Sequence, residues 1–173
     1  MKKRAIVLLL WAVLTQAQVM AAGEEAVSTS LDTSKNGLSY GAYVGSTSRI
    51  KCLYGYVAEK TGDHAAAVQI FEDCIARWGD VYSMIWLAQM HENGLGVPQD
   101  AVQATALMRQ GALSQDTAGY ATLARYHYGV ALHQGQGVPR DLPAAQSWLR
   151  RAALEGEPAA AQYLQAHQAD WPQ

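Results

Sequence analysis

Two seven-residue segments of the chain are near copies of one another: Gly94-Leu95-Gly96-Val97-Pro98-Gln99-Asp100 and Gly135-Gln136-Gly137-Val138-Pro139-Arg140-Asp141. Five of the seven positions are identical and the offset is 41 residues. Self-similarity at a fixed period of this size marks an array, in which each unit is a small motif that buries its apolar face only by stacking on a neighbour. Such an array spreads recognition over a surface and does not gather it in a reactive cleft.

The duplication runs beyond the loops. Four residues after each closing Asp stands an alanine, Ala104 or Ala145, and the same spacing recurs upstream as Asp63 and Ala67. The three aspartates are 37 and 41 residues apart. Three residues further on stand Ile70, Leu107 and Trp148, and then come Cys74-Ile75, Gly111-Ala112 and Ala152-Ala153. Each Asp suits a helix N-cap, where its carboxylate accepts orphan amide hydrogens at the positive end of the helix dipole. Asp100 with Gln103 has the capping-box spacing. Pro143 falls in a first turn that spares its missing amide hydrogen. Gly94 and Gly135 follow helical stretches, where a left-handed closing residue is favoured. Three helix pairs in one register, joined by short loops, are the expected architecture.

This pattern resembles the Sel1-like repeat, a relative of the tetratricopeptide repeat. The third unit fits most fully, with Gly129, Gly135, Gly137, Val138, Asp141, Ala145, Trp148, Ala152, Ala153 and Gly156 at family positions. The second keeps the loop, Leu87, Ala104 and Ala112 but has His91 and Leu107 where Tyr and Trp are usual. The first is closer to an ordinary tetratricopeptide unit, with Gly55, Gly62-Asp63, Ala67 and Phe71. The resemblance implies an all-α fold, an α/α solenoid of about three helix-turn-helix repeats with a C-terminal capping helix, over residues 47–168. It also implies a module that binds a protein or peptide partner on the concave face lined by the first helix of each pair.

Lys2-Lys3-Arg4, an apolar run from Ala5 to Leu14 and the small residues Ala21-Ala22 read as a secretory signal peptide over 1–22. An uncleaved anchor is the alternative, but the apolar run falls short of the roughly 20 residues that span a bilayer. Residues 23–46, rich in Ser, Thr, Gly and Ala, read as a flexible arm whose Tyr40 and Tyr43 can dock on the first helix pair, and 169–173 as a tail. Export predicts a periplasmic or secreted protein. Cleavage lowers Lys+Arg from 13 to 10 against 15 acidic residues. The resulting net negative charge, with no basic run, excludes a nucleic-acid footprint, and no membrane insertion is expected after cleavage.

Cys52 and Cys74 are the two cysteines. In an oxidising compartment they favour a disulfide, because antiparallel helices turning near Gly62 bring them to similar depth. Two buried thiols are the alternative. No metal site and no cofactor are expected, since the pair offers too few ligands and no histidine has a carboxylate or cysteine at ligand spacing. Among the positions that the core does not claim, Trp86, Tyr126, His127 and Tyr56 are the candidate partner-binding residues, because aromatic anchors dominate protein interfaces. No enzyme is expected. The competing function is a cell-wall or β-lactam-interacting hydrolase, because Ser48-Arg49-Ile50-Lys51 and Lys60-Thr61-Gly62 match two motifs of penicillin-recognising serine enzymes. Nine residues separate the two lysines, too few for those motifs to occupy their usual places.

Overall fold

A computed structural model describes residues 39–116 and 119–171, and every regular element among them is helical. A short helix α1 (Gly41–Val44) precedes three antiparallel pairs. These are α2 (Lys51–Lys60) with α3 (His64–Trp78), α4 (Val81–Asn93) with α5 (Ala101–Leu113), and α6 (Tyr120–Gln134) with α7 (Leu142–Leu154). Helix α8 (Pro158–Ala166) packs on α7, and a 3-10 turn (Gln168–Asp170) follows. The fold is an α/α solenoid. No described helix is long and apolar enough to cross a membrane.

Local chemistry sets the helix starts. Asp63, Asp80, Asp100 and Asp141 each cap a helix, accepting from Ala66 N (3.2 Å), Ser83 N (3.0 Å), Val102 and Gln103 N (2.9 and 3.0 Å), and Ala144 N (2.9 Å). Each such cap stabilises its helix by about 1 kcal/mol. At Asp100 only half of the expected capping box forms. Its own amide hydrogen goes to the His91 carbonyl across the loop (2.9 Å), so the Gln103 side chain has no donor to meet.

The duplicated loop does two things. Gly94 and Gly135 (φ +68° and +72°) end α4 and α6 in the left-handed conformation, each donating its amide to the carbonyl four residues back. The second glycine of each loop then lies against the opening of the second helix one unit earlier. A methyl group on Gly96 would stand 2.7 Å from His64 Cβ, and one on Gly137 would stand 1.9 Å from the Ala101 carbonyl oxygen. Thr105 donates to the Gln136 carbonyl there (2.8 Å). Gln99 and Arg140, 41 residues apart, reach back to the equivalent carbonyls of Glu92 and His133 (both 2.8 Å). The loop is therefore a closing turn and an inter-unit joint at once.

Small residues let paired helices close up. Gly55 lies under the Phe71 ring and Gly129 against Leu149, where an added methyl carbon would stand 2.5 and 2.8 Å away. Phe71, Met108 and Leu149 are among the deeply buried residues of the second helices, with exposures of 0, 2 and 0%; in the second and third units they stand one position beyond Leu107 and Trp148. Ile70 and Leu107 are buried as well. Trp148 is only half-buried, edge-on to Tyr128 (5.6 Å) and beneath Arg151.

Both ends of the stack are closed by residues outside the 47–168 span. Tyr40, Tyr43 and Val44 pack with Trp78 against a small cluster of Cys52, Ile70 and Cys74. Cys52 and Cys74 are bridged there, with Cα atoms 6.0 Å apart. Lys51, with no exposed surface, donates to the Val44 carbonyl (2.6 Å) and to Asp73 (2.5 Å), tying α1 to α3. At the other end Trp171 is buried against the main core and donates its indole hydrogen to the Leu164 carbonyl (3.0 Å).

Candidate partner-binding face

First helices touch one another in succession, α2 on α4 and α4 on α6, whereas the second helices approach one another less. That asymmetry makes α2, α4 and α6 the inner wall of the curve. Tyr56 on α2 contacts the Trp86 ring on α4 (4.7 Å), Trp86 contacts Tyr82 one turn earlier (6.2 Å), and Tyr82 meets Tyr120 at the start of α6 edge-on (5.2 Å). Four rings thus run unbroken across three helices. Lys60 stands over the Trp86 ring (4.8 Å) and the Tyr56 ring (5.5 Å), a cation–π arrangement. Tyr56 and Tyr120 are exposed, and Tyr82 and Trp86 are half-buried.

Beside the rings α2 and its N-cap residue present Ile50, Leu53 and Val57, spaced three and four residues apart on one stripe, and exposed by 60, 54 and 39%. A shallow depression between this stripe and the rings is lined by Ile50, Leu53, Asp80, Tyr82 and Tyr120. Asp80 is buried and committed, accepting from Ser83 N and Oγ (3.0 and 2.7 Å) and from Arg49 (3.2 Å). Burial, with the neighbouring Tyr120 and Tyr56, pushes the Tyr82 phenol up to about 12, so it stays neutral. This wall is largely apolar, with two cations at its edges, Lys60 beside Glu59 (2.9 Å) and Arg49 beside Asp80 (3.2 Å).

The four expected binding residues fall into two groups. Tyr56 and Trp86 lie in the ring band. Tyr126 and His127 contact each other (5.1 Å), and Tyr126 reaches Tyr163 on α8 (6.3 Å); among the described residues no ring contact joins them to the band. Burial holds the His127 imidazole below its ordinary value, against the pull of Glu157. Tyr82 and Tyr120 are the members that sequence reasoning missed. Tyr82 stands four residues before Trp86, on the same side of α4, a spacing that could have found it. Tyr120 could be placed only by knowing where α6 begins.

The residues of the penicillin-recognising motifs have other partners. The Lys51 ammonium is enclosed by Asp73 and the Val44 carbonyl. Thr61 returns its hydroxyl to the Val57 carbonyl (2.9 Å) as the α2–α3 hairpin turns, and Lys60 covers two rings.

The family model for the Sel1 repeat matches residues 81–116 and 122–157, which correspond to α4 with α5 and to α6 with α7. No curated protein matches the chain. Among solved structures, the chain is similar to a protective antigen of uropathogenic Escherichia coli strains that displays an SLR fold. Identity is 23% and the TM-score 0.61, over 72% of this chain and 26% of that one. It is also similar to a Sel1 repeat protein from Oxalobacter formigenes, at 21% identity and a TM-score of 0.59, over 73% of this chain and 95% of that one. The chain thus spans about a quarter of the length of the E. coli antigen, and at these identities the likeness is one of fold. Residues 81–116 and 122–157 are thus two Sel1 repeats in tandem, set in a solenoid with the fold of those two structures.

Proposed function

We propose that the chain is an interaction module of the cell envelope, which binds a protein or peptide partner along the inner wall of α2, α4 and α6. The ring band Tyr56–Trp86–Tyr82–Tyr120 carries this reading. Large rings with one polar end give contact area at low conformational cost, and an exposed aliphatic stripe beside them extends the patch beyond what an isolated surface side chain offers. Sel1 repeat proteins are generally interaction scaffolds, which supports the reading by family. Placement in the envelope, periplasmic or secreted, rests on the Lys2-Lys3-Arg4 leader with its apolar run and is consistent with the Cys52–Cys74 bridge.

The test is a paired surface substitution. Leu53→Asp places a charge on the inner patch, and Val102→Asp places one at an equally open position on the second helix α5, 65% exposed. Affinity capture from envelope extract should recover the same protein with wild type and Val102→Asp and lose it with Leu53→Asp, while all three melt alike. Equal capture by both variants, or equal loss, would remove the inner wall as the binding surface.

A further inference from the structure

The last unit brings together three side chains far apart in sequence or on different elements. His133 lies near the end of α6, His167 caps α8, and Asp170 ends the 3-10 turn. Their ligand atoms all lie within 4.8 Å of one another. His133 Nε2 is 3.3 Å from Asp170 Oδ2, and His167 Nδ1 is 3.1 Å from the same oxygen. A tetrahedral ion with bonds of ~2.0–2.1 Å spaces its ligands by roughly 3.3 Å. Two of the three edges already have that length, and the third, between the two imidazoles, is at most 4.8 Å, closed by a rotation of the His167 ring, whose side chain is 38% exposed.

His133 supplies the decisive detail. Its side chain is only 7% exposed, enclosed by Tyr163 and Trp171 (ring centroids 5.6 and 4.7 Å away). Its Nδ1 is 2.9 Å from the Tyr163 hydroxyl. Its Nε2 is buried and has no hydrogen-bond partner, although the Asp170 carboxylate stands close by. Buried polar atoms are nearly always satisfied, and one that faces a carboxylate without aligning to it is a place for a cation between them. When Nδ1 donates to an outer oxygen, the lone pair is left on Nε2, the tautomer and ring orientation that bind a metal.

We propose that His133, His167 and Asp170 form a binding site for a divalent first-row cation of the zinc class, with Tyr163 as the positioning residue behind His133. Two imidazoles and one carboxylate suit such ions better than calcium or magnesium, which take oxygen ligands. Three protein ligands leave a further position for water or a partner's side chain. The ion would clamp the closing turn to α6 and hold Trp171 in place over the end of the core.

The experiment is zinc titration by calorimetry on untagged, chelator-stripped full chain, with cobalt as a spectroscopic substitute. One zinc per chain is expected, with a Kd of about 10 μM or tighter and a rise in Tm at saturating metal. His167→Gln, at a half-buried position, and Asp170→Asn, at an exposed one, should each weaken binding at least ~10-fold and abolish the Tm rise. Tyr163→Phe should weaken it by roughly 10- to 100-fold by releasing the His133 ring. Cobalt should give the visible absorption of a four- or five-coordinate centre, lost in the same variants. His127→Gln, on the same helix but outside the cluster, should bind as wild type does. No binding, or affinity unchanged in His167→Gln and Asp170→Asn, would overturn the site.

Discussion

Gly137 offers a direct test of the inter-unit joint. Replacing it with alanine adds one methyl group and brings two penalties. The first is conformational: φ at Gly137 is +66°, and a β-carbon in that region costs about 1–2 kcal/mol. The second is steric. The new carbon would stand 1.9 Å from the Ala101 carbonyl oxygen and 2.9 Å from Thr105 Oγ1. An ordinary carbon–oxygen contact is ~3.3 Å, so loop and helix must separate by roughly 1.4 Å. The carbonyl belongs to the first turn of α5 and cannot swing away without breaking that turn. Overpacking of this kind adds about 1–3 kcal/mol, for a total near 3–4 kcal/mol. Gly62 is the control, with φ +89° and no atom within 4 Å of the added carbon, so Gly62→Ala bears only the conformational part, about 1 kcal/mol. At roughly 4 °C per kcal/mol, the two variants should melt about 4 °C and 12–16 °C below wild type. Urea unfolding followed by far-ultraviolet circular dichroism gives the same comparison as free energies. If Gly137→Ala fell within ~0.5 kcal/mol of Gly62→Ala, the loop would be a turn and nothing more.

Two further outcomes are expected. Thiol titration of the denatured chain should find no free thiol, and reduction should destabilise the fold by about 3 kcal/mol, because the bridge closes a 22-residue separation; two reactive thiols before reduction would refute it. Acid should loosen both ends of the stack. Hydrogen bonds from Arg77 and Lys51 hold the Asp73 carboxyl low. Burial alone would raise Glu155, but the bonds from Arg151 and Thr122 and the charge of Arg125 outweigh it, so it too lies below its ordinary value. Carboxyls lower in the folded than in the unfolded chain stabilise fully above the unfolded value, and that contribution disappears as pH falls through the folded one. Tm should therefore drop between about pH 5 and about pH 3, and less steeply in Glu155→Gln; an identical slope in that variant would show that Glu155 contributes nothing.

Much of the fold could be read from the sequence because its signals are local. An Asp followed by helix formers, a Gly at a helix end and an alanine four residues after Asp63, Asp100 and Asp141 act within one turn, and the 41-residue offset shows that those turns recur. Features that depend on how far one unit rotates on the next could not be read. Lys51 looks like an ordinary surface lysine at the start of a helix, yet it is wholly enclosed once α1 folds over it. Arg125 is similar: it occupies the place that Met84 fills one unit earlier, and it turns inward to donate to the Ala112 and Ser114 carbonyls and to pair with Glu155. The candidate face was half legible. Trp86 and Tyr56 were accessible from the repeat register, whereas the continuity of their band depends on where α6 starts. The spacing of His167 and Asp170, three residues apart, was passed over in the sequence reading, and His133 joins them only through the packing of α8 on the last unit.

Because each loop seats on the helix start of the preceding unit, a unit as read from the period is not the piece that can be moved. Cutting before the Gly-x-Gly-Val-Pro loop separates a socket from its plug, and the orphaned first turn of α3 or α5 would then face water. An engineer lengthening this array should splice after the loop's second glycine and before the second helix that follows, so that every socket travels with its own cover. Curvature should then be copied faithfully from one added module to the next.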